Sequence, residues 1–158
     1  MKCLKIVHLF TVCCWIGGAM SMILLNLHNT AATQEGMLYG MNMSSHLIDV
    51  WIVVRFGALS CLVSGLLYSL LTPWGFFKHK WIIVKWVLTI SCILFGMFFL
   101  GVYEKNMLEL SRMVGNSALV SPEYMIIRNN HFYFSLVQIA FLLFMVSLSV
   151  IKPWGQKK

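Results

Sequence analysis

Charged side chains are scarce in this sequence. Asp, Glu, Lys and Arg make up 11% of its 158 residues, against about 25% in ordinary soluble domains. Acids are scarcer still, at five, while 59% of the residues are apolar. This shortage excludes intrinsic disorder, which needs low hydrophobicity and high charge. It also argues against a soluble nucleic-acid binder, in spite of the net charge of +7. A disulfide framework is missing too. Cys13, Cys14, Cys61 and Cys92 fall in apolar runs and Cys3 lies at the N-terminal end, so none sits in a connection where oxidation would join it to another. Their reading is as small, polarizable packing residues.

What the chain has instead is four apolar runs, at 6–27, 50–71, 81–102 and 132–151. Each is long enough to cross a hydrocarbon core of about 30 Å as a helix. The expected architecture is therefore all-α: a polytopic membrane protein with four transmembrane helices in one bundle, a single domain over 1–158. Lys2 and Lys5 before the first run, and Gly17-Gly18-Ala19 within it, resemble a signal peptide. The run continues to Leu27, which favours a retained helix. Lys2, Lys5, Lys78, Lys80, Lys152, Lys157 and Lys158 fall on one side of the bundle, and Lys105, Arg112 and Arg128 on the other. The positive-inside rule then puts both termini in the cytoplasm. Glu35, Asp49, Glu104, Glu109 and Glu123 all fall on the outer side, which agrees. Arg55 and Lys85 remain, inside predicted helices.

The chain also looks duplicated. Helix two ends in Thr72-Pro73-Trp74-Gly75 and helix four in Lys152-Pro153-Trp154-Gly155, with Val63-Ser64 and Val146-Ser147 upstream. Ile6-Val7-His8 and Thr11 match Ile83-Val84-Lys85 and Thr89 at the starts of the odd helices. Two hairpins of the same orientation are expected, related by an axis along the membrane normal. The repeat makes His8 and Lys85 equivalent positions.

Helical spacing continues from each of them. His8, Thr11, Trp15, Gly18 and Met22 form one stripe, and Lys85, Thr89, Cys92 and Gly96 another. Helix two offers Gly57, Cys61, Ser64, Gly65 and Tyr68, and helix four His131, Ser135, Gln138, Met145 and Ser149. Small and weakly polar residues favour contact between helices in lipid, so these stripes are expected to face the bundle interior.

An ionisable residue in a membrane helix costs about 2.5–3.5 kcal/mol on insertion scales, which makes it a functional candidate. Lys85 could instead snorkel into headgroups, and a serine or a carbonyl could satisfy His8. Arg55 could stack on Trp51, pair with Asp49 or Glu104, or hold the carboxylate of a cofactor. The sharper expectation is that His8 and Lys85 bracket a b-type haem, since imidazole is a standard axial ligand and a neutral lysine amine can ligate. Gly18 and Gly96 would leave room for the macrocycle.

The outer connections, 27–49 and 104–130, are long for helical hairpins. Gly115-Asn116 reads as a helix stop, and Ser121-Pro122 as a cap with proline at the first helical position. Helices three and four are thus expected to project beyond the membrane. Met41, Met43 and His46, with His131, offer thioether and imidazole donors of the kind that suit cuprous copper; methionines that merely fill apolar contacts are the plainer alternative.

Several segments together resemble a known superfamily of small four-helix bacterial membrane proteins. They are Lys5-Ile6-Val7-His8 with Trp15-Ile16-Gly17-Gly18, Val63-Ser64-Gly65-Leu66-Leu67, Trp81-Ile82-Ile83-Val84-Lys85 and Lys152-Pro153-Trp154. That superfamily includes the HemJ-type protoporphyrinogen oxidases, the CopD-type copper-resistance proteins and uncharacterised relatives. The resemblance implies a multi-pass protein of the bacterial inner membrane. For HemJ-type members it also implies haem held by the residues matching His8 and Lys85. Two departures stand out: 22–26 carries no arginine where HemJ-type enzymes have one, and the connection 104–130 is longer.

Three functions follow as expectations. The first is a haem b redox protein acting on a porphyrinogen or passing electrons to a quinone. The second is a copper-handling protein, and the third a non-catalytic membrane component serving a partner. The lipid bilayer is the partner common to all three, and a homo-oligomer is compatible with each.

Overall fold

A computed structural model describes residues 2–72 and 79–152. Four helices long and apolar enough to span a membrane account for nearly all of them: α1 (Lys2–Ala31), α2 (Met37–Leu71), α3 (Lys80–Val120) and α4 (Pro122–Ile151). No strand occurs among the described residues. In lipid a backbone without a partner costs several kcal/mol per group, so a helix, which satisfies itself, is the expected solution. The two Pro-Trp-Gly segments of the repeat, 73–75 and 153–155, lie outside the described residues, as do Lys78, Lys157 and Lys158.

All four apolar runs are helical, and the helices extend well beyond them at the end away from the termini. The stop and restart fall where the sequence puts them. The α-helical part of α3 ends at Val114, Gly115 takes φ +59°, a tight helical turn carries the chain to Val120, and α4 begins at Pro122 behind Ser121. The connection 27–49 is different from expectation. Only 32–36 is non-helical there, and Gly36 at φ +75° opens α2 at Met37. The reason is a buried stripe of Leu38, Asn42 and Ser45, spaced at four and three residues like any helix face. All four helices therefore project together and form a second, polar-cored storey.

That storey is tied by amides. Asn29 Nδ2 donates to Asn42 Oδ1 at 2.9 Å, and Asn42 Nδ2 donates to Tyr124 Oη at 3.0 Å and to the Met107 carbonyl at 3.2 Å. Asn116 Nδ2 donates to the Gln34 carbonyl at 2.6 Å, while its Oδ1 accepts from the Leu38 N–H at 3.3 Å. Ala32, Leu38, Met107, Ala118 and Tyr124 pack around this network.

Within the apolar runs the core is Trp15, Met22, Val53, Ala58, Cys61, Cys92, Leu142 and Met145. It brings the predicted interior stripes together: Thr11, Trp15, Gly18 and Met22 on α1, Gly57, Cys61 and Ser64 on α2, and His131, Ser135, Gln138 and Met145 on α4 are all buried. The closest approach is between α1 and α2. A Cβ added at Gly57 would stand 2.8 Å from both Cα and Cβ of Trp15, and one added at Gly18 would stand 2.7 Å from Val53 Cγ2. Here α2 is wound as a π-helix over Ile48–Leu59, and the Ser60 hydroxyl donates to the Arg55 carbonyl at 2.7 Å.

Gly18 was expected to leave room for a macrocycle; instead its notch is filled by Val53 and Ile52. Gly96 is likewise covered, by the Gln138 amide. Replacing Gly57 by alanine should force the helix backbones apart and destabilise the detergent-solubilised protein by about 1–3 kcal/mol, the usual cost of overpacking. Gly17→Ala, where a Cβ meets nothing within 4 Å, should leave the melting temperature unchanged. Equal effects from the two substitutions in thermal melts would contradict the crossing.

Candidate functional site: a polar cluster at the terminal end of the bundle

Two turns into α1, His8 faces α2. Its Nδ1 lies 2.9 Å from Ser64 Oγ. The Ser64 hydroxyl also reaches the Cys61 carbonyl, at 3.1 Å. A serine hydroxyl has one proton to give. When it goes to the Cys61 carbonyl, Ser64 accepts from the His8 Nδ1–H, and Nε2 keeps the free lone pair. Thr11 Oγ1 donates to the His8 carbonyl at 2.8 Å and also faces the Cys61 thiol.

Lys85 enters from the other hairpin. It is half-buried and close enough for its charge to be felt by both the His8 ring and the Cys61 thiol. The segment Lys80–Phe95 of α3 packs along α4 and makes no comparably extensive contact with α1 or α2 among the described residues. His8 and Lys85 thus approach each other from the two hairpins. The sequence had placed them together by repeat alone.

Arg55 does not join them. Its guanidinium sits 3.9 Å from the centroid of the Trp51 ring, on the exposed face of α2, about 13 Å along the helix from Ser64 at 1.5 Å per residue. Of the readings open to it, the stacked one is what the structure contains. A carboxylate held by Arg55 would sit on the outer surface, away from His8.

The copper candidates are not on one face either. Met41 and Met43 are two residues apart on α2 and so point about 160° apart around the helix. Met41 is half-buried and Met43 exposed. His131 is 1% exposed, with Nδ1 3.3 Å from Asn26 Nδ2. Among the described residues no three His, Cys, Asp or Glu side chains converge as a metal site. His46 has a different neighbour, Asp49.

That neighbourhood holds a pair the sequence reading missed. Glu104 on α3 is 1% exposed and faces Ser45 and the Asp49 carboxyl on α2. With both acids charged, neither Glu104 oxygen has a donor. Two carboxyls this close, one buried and one half-buried, favour a proton on one of them. Burial is the first cause, the neighbouring carboxyl the second, and together they push Glu104 well above its ordinary value; burial also raises Asp49. Both residues lie just beyond the apolar runs, and Asp49 continues the stripe Leu38, Asn42 and Ser45. That spacing is the signal that would have found it.

An acid whose value is raised by folding binds its proton more tightly in the native state. Its contribution to stability is full below the ordinary carboxylate range of about 4 and is lost as pH rises through the folded value. The melting temperature of the solubilised protein should therefore fall as pH rises from about 4 toward about 8. Asp49→Asn, which supplies a donor to Glu104, should flatten that slope and raise the melting temperature at the alkaline end. A wild-type slope of the opposite sign, or one unchanged in the variant, would contradict a proton held by the pair.

No curated protein and no solved structure matches the chain. One family model does, over residues 2–153 and so over all four helices. It is described by membrane integration alone, which agrees with the four spans. On that match the chain belongs to the family described as "Predicted integral membrane protein (DUF2269)".

Proposed function

We propose that this is a haem b-binding redox protein of the bacterial inner membrane, with both termini in the cytoplasm, oxidising a porphyrinogen or passing electrons to a quinone. The observation that carries the reading is the pair His8 and Lys85, brought close together from separate hairpins. The donor set fits axial ligation. A ligating histidine commonly has its second nitrogen tied by a hydrogen bond that fixes the tautomer and orients the ring. Ser64 does this for His8, leaving Nε2 available. Lys85 would help to hold the haem only as the neutral amine.

Gly18 and Gly96 do not supply room for a macrocycle, since Val53 and Ile52 fill the first notch and the Gln138 amide covers the second; a haem would have to be received between the hairpins beside His8 and Lys85. Haem held there would supply one-electron chemistry. The protein's own contributions are the fixed imidazole, the low-dielectric surroundings given by Trp15 and Cys61, and the exclusion of water from the midplane. The resemblance to HemJ-type proteins at His8 and Lys85 supports the same reading.

Protein purified from haem-replete cells should show a Soret band. His8→Ala should abolish it, Lys85→Ala should shift it, and Ser64→Ala should weaken haem retention by about 10–100-fold, as loss of such a supporting hydrogen bond typically does. A colourless preparation of folded protein would overturn the proposal and leave the non-catalytic reading.

A further inference from the structure

We propose that the groove between α3 and α4 binds the ring of a membrane-soluble quinone or quinol, held through the amide of Gln138. The proposal deepens the quinone arm of the proposed function and rests on that reading for the class of ligand, while the site itself is built without His8, Lys85 or Ser64.

The groove is lined by Leu88, Cys92 and Phe95 from α3 and by Val137, Gln138 and Phe141 from α4. These positions lie close to the middle of both apolar runs. Val137 and Phe141, at 46% and 45% exposed, make the rim, so the groove opens sideways toward lipid and not toward either aqueous phase. Its volume is about 170 Å³. A cavity of about 150 Å³ lined by aliphatic and aromatic side chains accommodates benzene. One six-membered ring therefore fits, while a larger body such as a macrocycle does not. An isoprenoid or alkyl tail would stay outside, in the bilayer.

Gln138 makes the groove more than a packing gap. It is 5% exposed, and its Oε1 has no hydrogen-bond partner. An amide oxygen left unpaired in a membrane interior costs several kcal/mol, because neither lipid nor bulk water is at hand to satisfy it. The amide is seated over Gly96, where an added Cβ would stand 3.5 Å from Nε2 and 3.6 Å from Oε1. That is ordinary van der Waals contact, so the amide lies against α3 at this height. At this point α3 changes to a π-helical turn, Gly96–Leu100, a feature often found beside functional sites.

The ligand must then be flat, ring-sized, lipid-soluble and able to exchange a hydrogen bond with an amide. An acyl chain meets the first demands and leaves the amide unpaired. Once the amide swings from Gly96 toward the groove, a quinone carbonyl would accept from its nitrogen and a quinol hydroxyl would donate to its oxygen. A 180° turn of the amide exchanges the two atoms, so both redox forms are served by one side chain. Phe95 and Phe141 make part of the lining aromatic. Cys92 lies about 10 Å along α3 from Lys85 at 1.5 Å per residue, which sets the groove beside the polar cluster.

The test uses the full chain in phosphatidylcholine nanodiscs with a radiolabelled short-tailed benzoquinone, empty discs being subtracted. Saturable binding of one molecule per chain is expected. Gln138→Leu should weaken it by about tenfold or more, as the loss of a buried hydrogen bond does, without lowering the melting temperature. Val137→Trp, a substitution on the lipid-facing rim, should block the groove without touching the core, which keeps the test valid if Gln138→Leu fails to fold. Decylbenzene, which has the ring and tail but no oxygen, should not displace the probe. His8→Ala should bind normally, so a colourless protein that still binds quinone would sink the haem reading and leave this one standing. Non-saturable uptake, wild-type binding in both groove variants, displacement by decylbenzene, or loss of binding in His8→Ala would each overturn the proposal.

Discussion

The contact on which the rest of this molecule depends is the crossing of α1 and α2, where Gly57 lies against the backbone of Trp15 and Gly18 receives Val53. Helices in lipid gain little from hiding apolar surface, since the tails are as apolar as leucine. What holds them is dispersion over closely approaching surfaces and the pairing of polar groups between them. Two glycines in register permit both. Once α1 and α2 are this close, His8 reaches Ser64 one storey toward the termini, and Asn29 reaches Asn42 one storey away from them. The crossing therefore sets the height of two polar layers at once.

Those layers are unlike in chemistry. The far storey, beyond the apolar runs, is tied by asparagines that donate to carbonyls, to one another and to Tyr124, yet it keeps Asn29 Oδ1, His46 Nδ1 and both Glu104 oxygens without a hydrogen-bond partner. The layer near the termini is left open on one side. His8 is tied at one nitrogen, and Lys85 comes to it from a helix segment that, among the described residues, packs chiefly on α4. The end near the termini brings an imidazole and an amine close together from separate hairpins. The groove at Gln138 lies between the two layers.

The four spans were legible because the membrane demands them: no soluble domain tolerates such runs, and lipid leaves the backbone no alternative to the helix. The interior stripes were legible too, since Thr11, Trp15 and Met22, or His131, Ser135 and Gln138, recur at the helical period. The early start of α2 was not, because Leu38, Asn42 and Ser45 form a buried face that is mostly polar, and a polar stripe beside loop-like Gly36 reads as a connection. Glu104 and Asp49 were read for sidedness and as partners open to Arg55, not as partners of each other. Their burial follows from the amide-tied storey above the membrane, which no composition announces. The glycines misled for a related reason: a glycine on an interior stripe can make space or can remove it by letting a neighbour in, and spacing does not distinguish the two. Arg55 needed only its own helix, and the stacking on Trp51 four residues earlier was within reach of the sequence.

The central claim is that His8 and Lys85 lie close together, apart from Arg55. Cross-linking in native membranes tests it most directly, using cysteine pairs in a chain whose own five cysteines are replaced by serine or alanine. A short thiol-reactive linker should join His8→Cys to Lys85→Cys and should fail to join His8→Cys to Arg55→Cys. Failure of the first pair in a chain that otherwise folds and inserts, or equal yield from the second, would contradict the account.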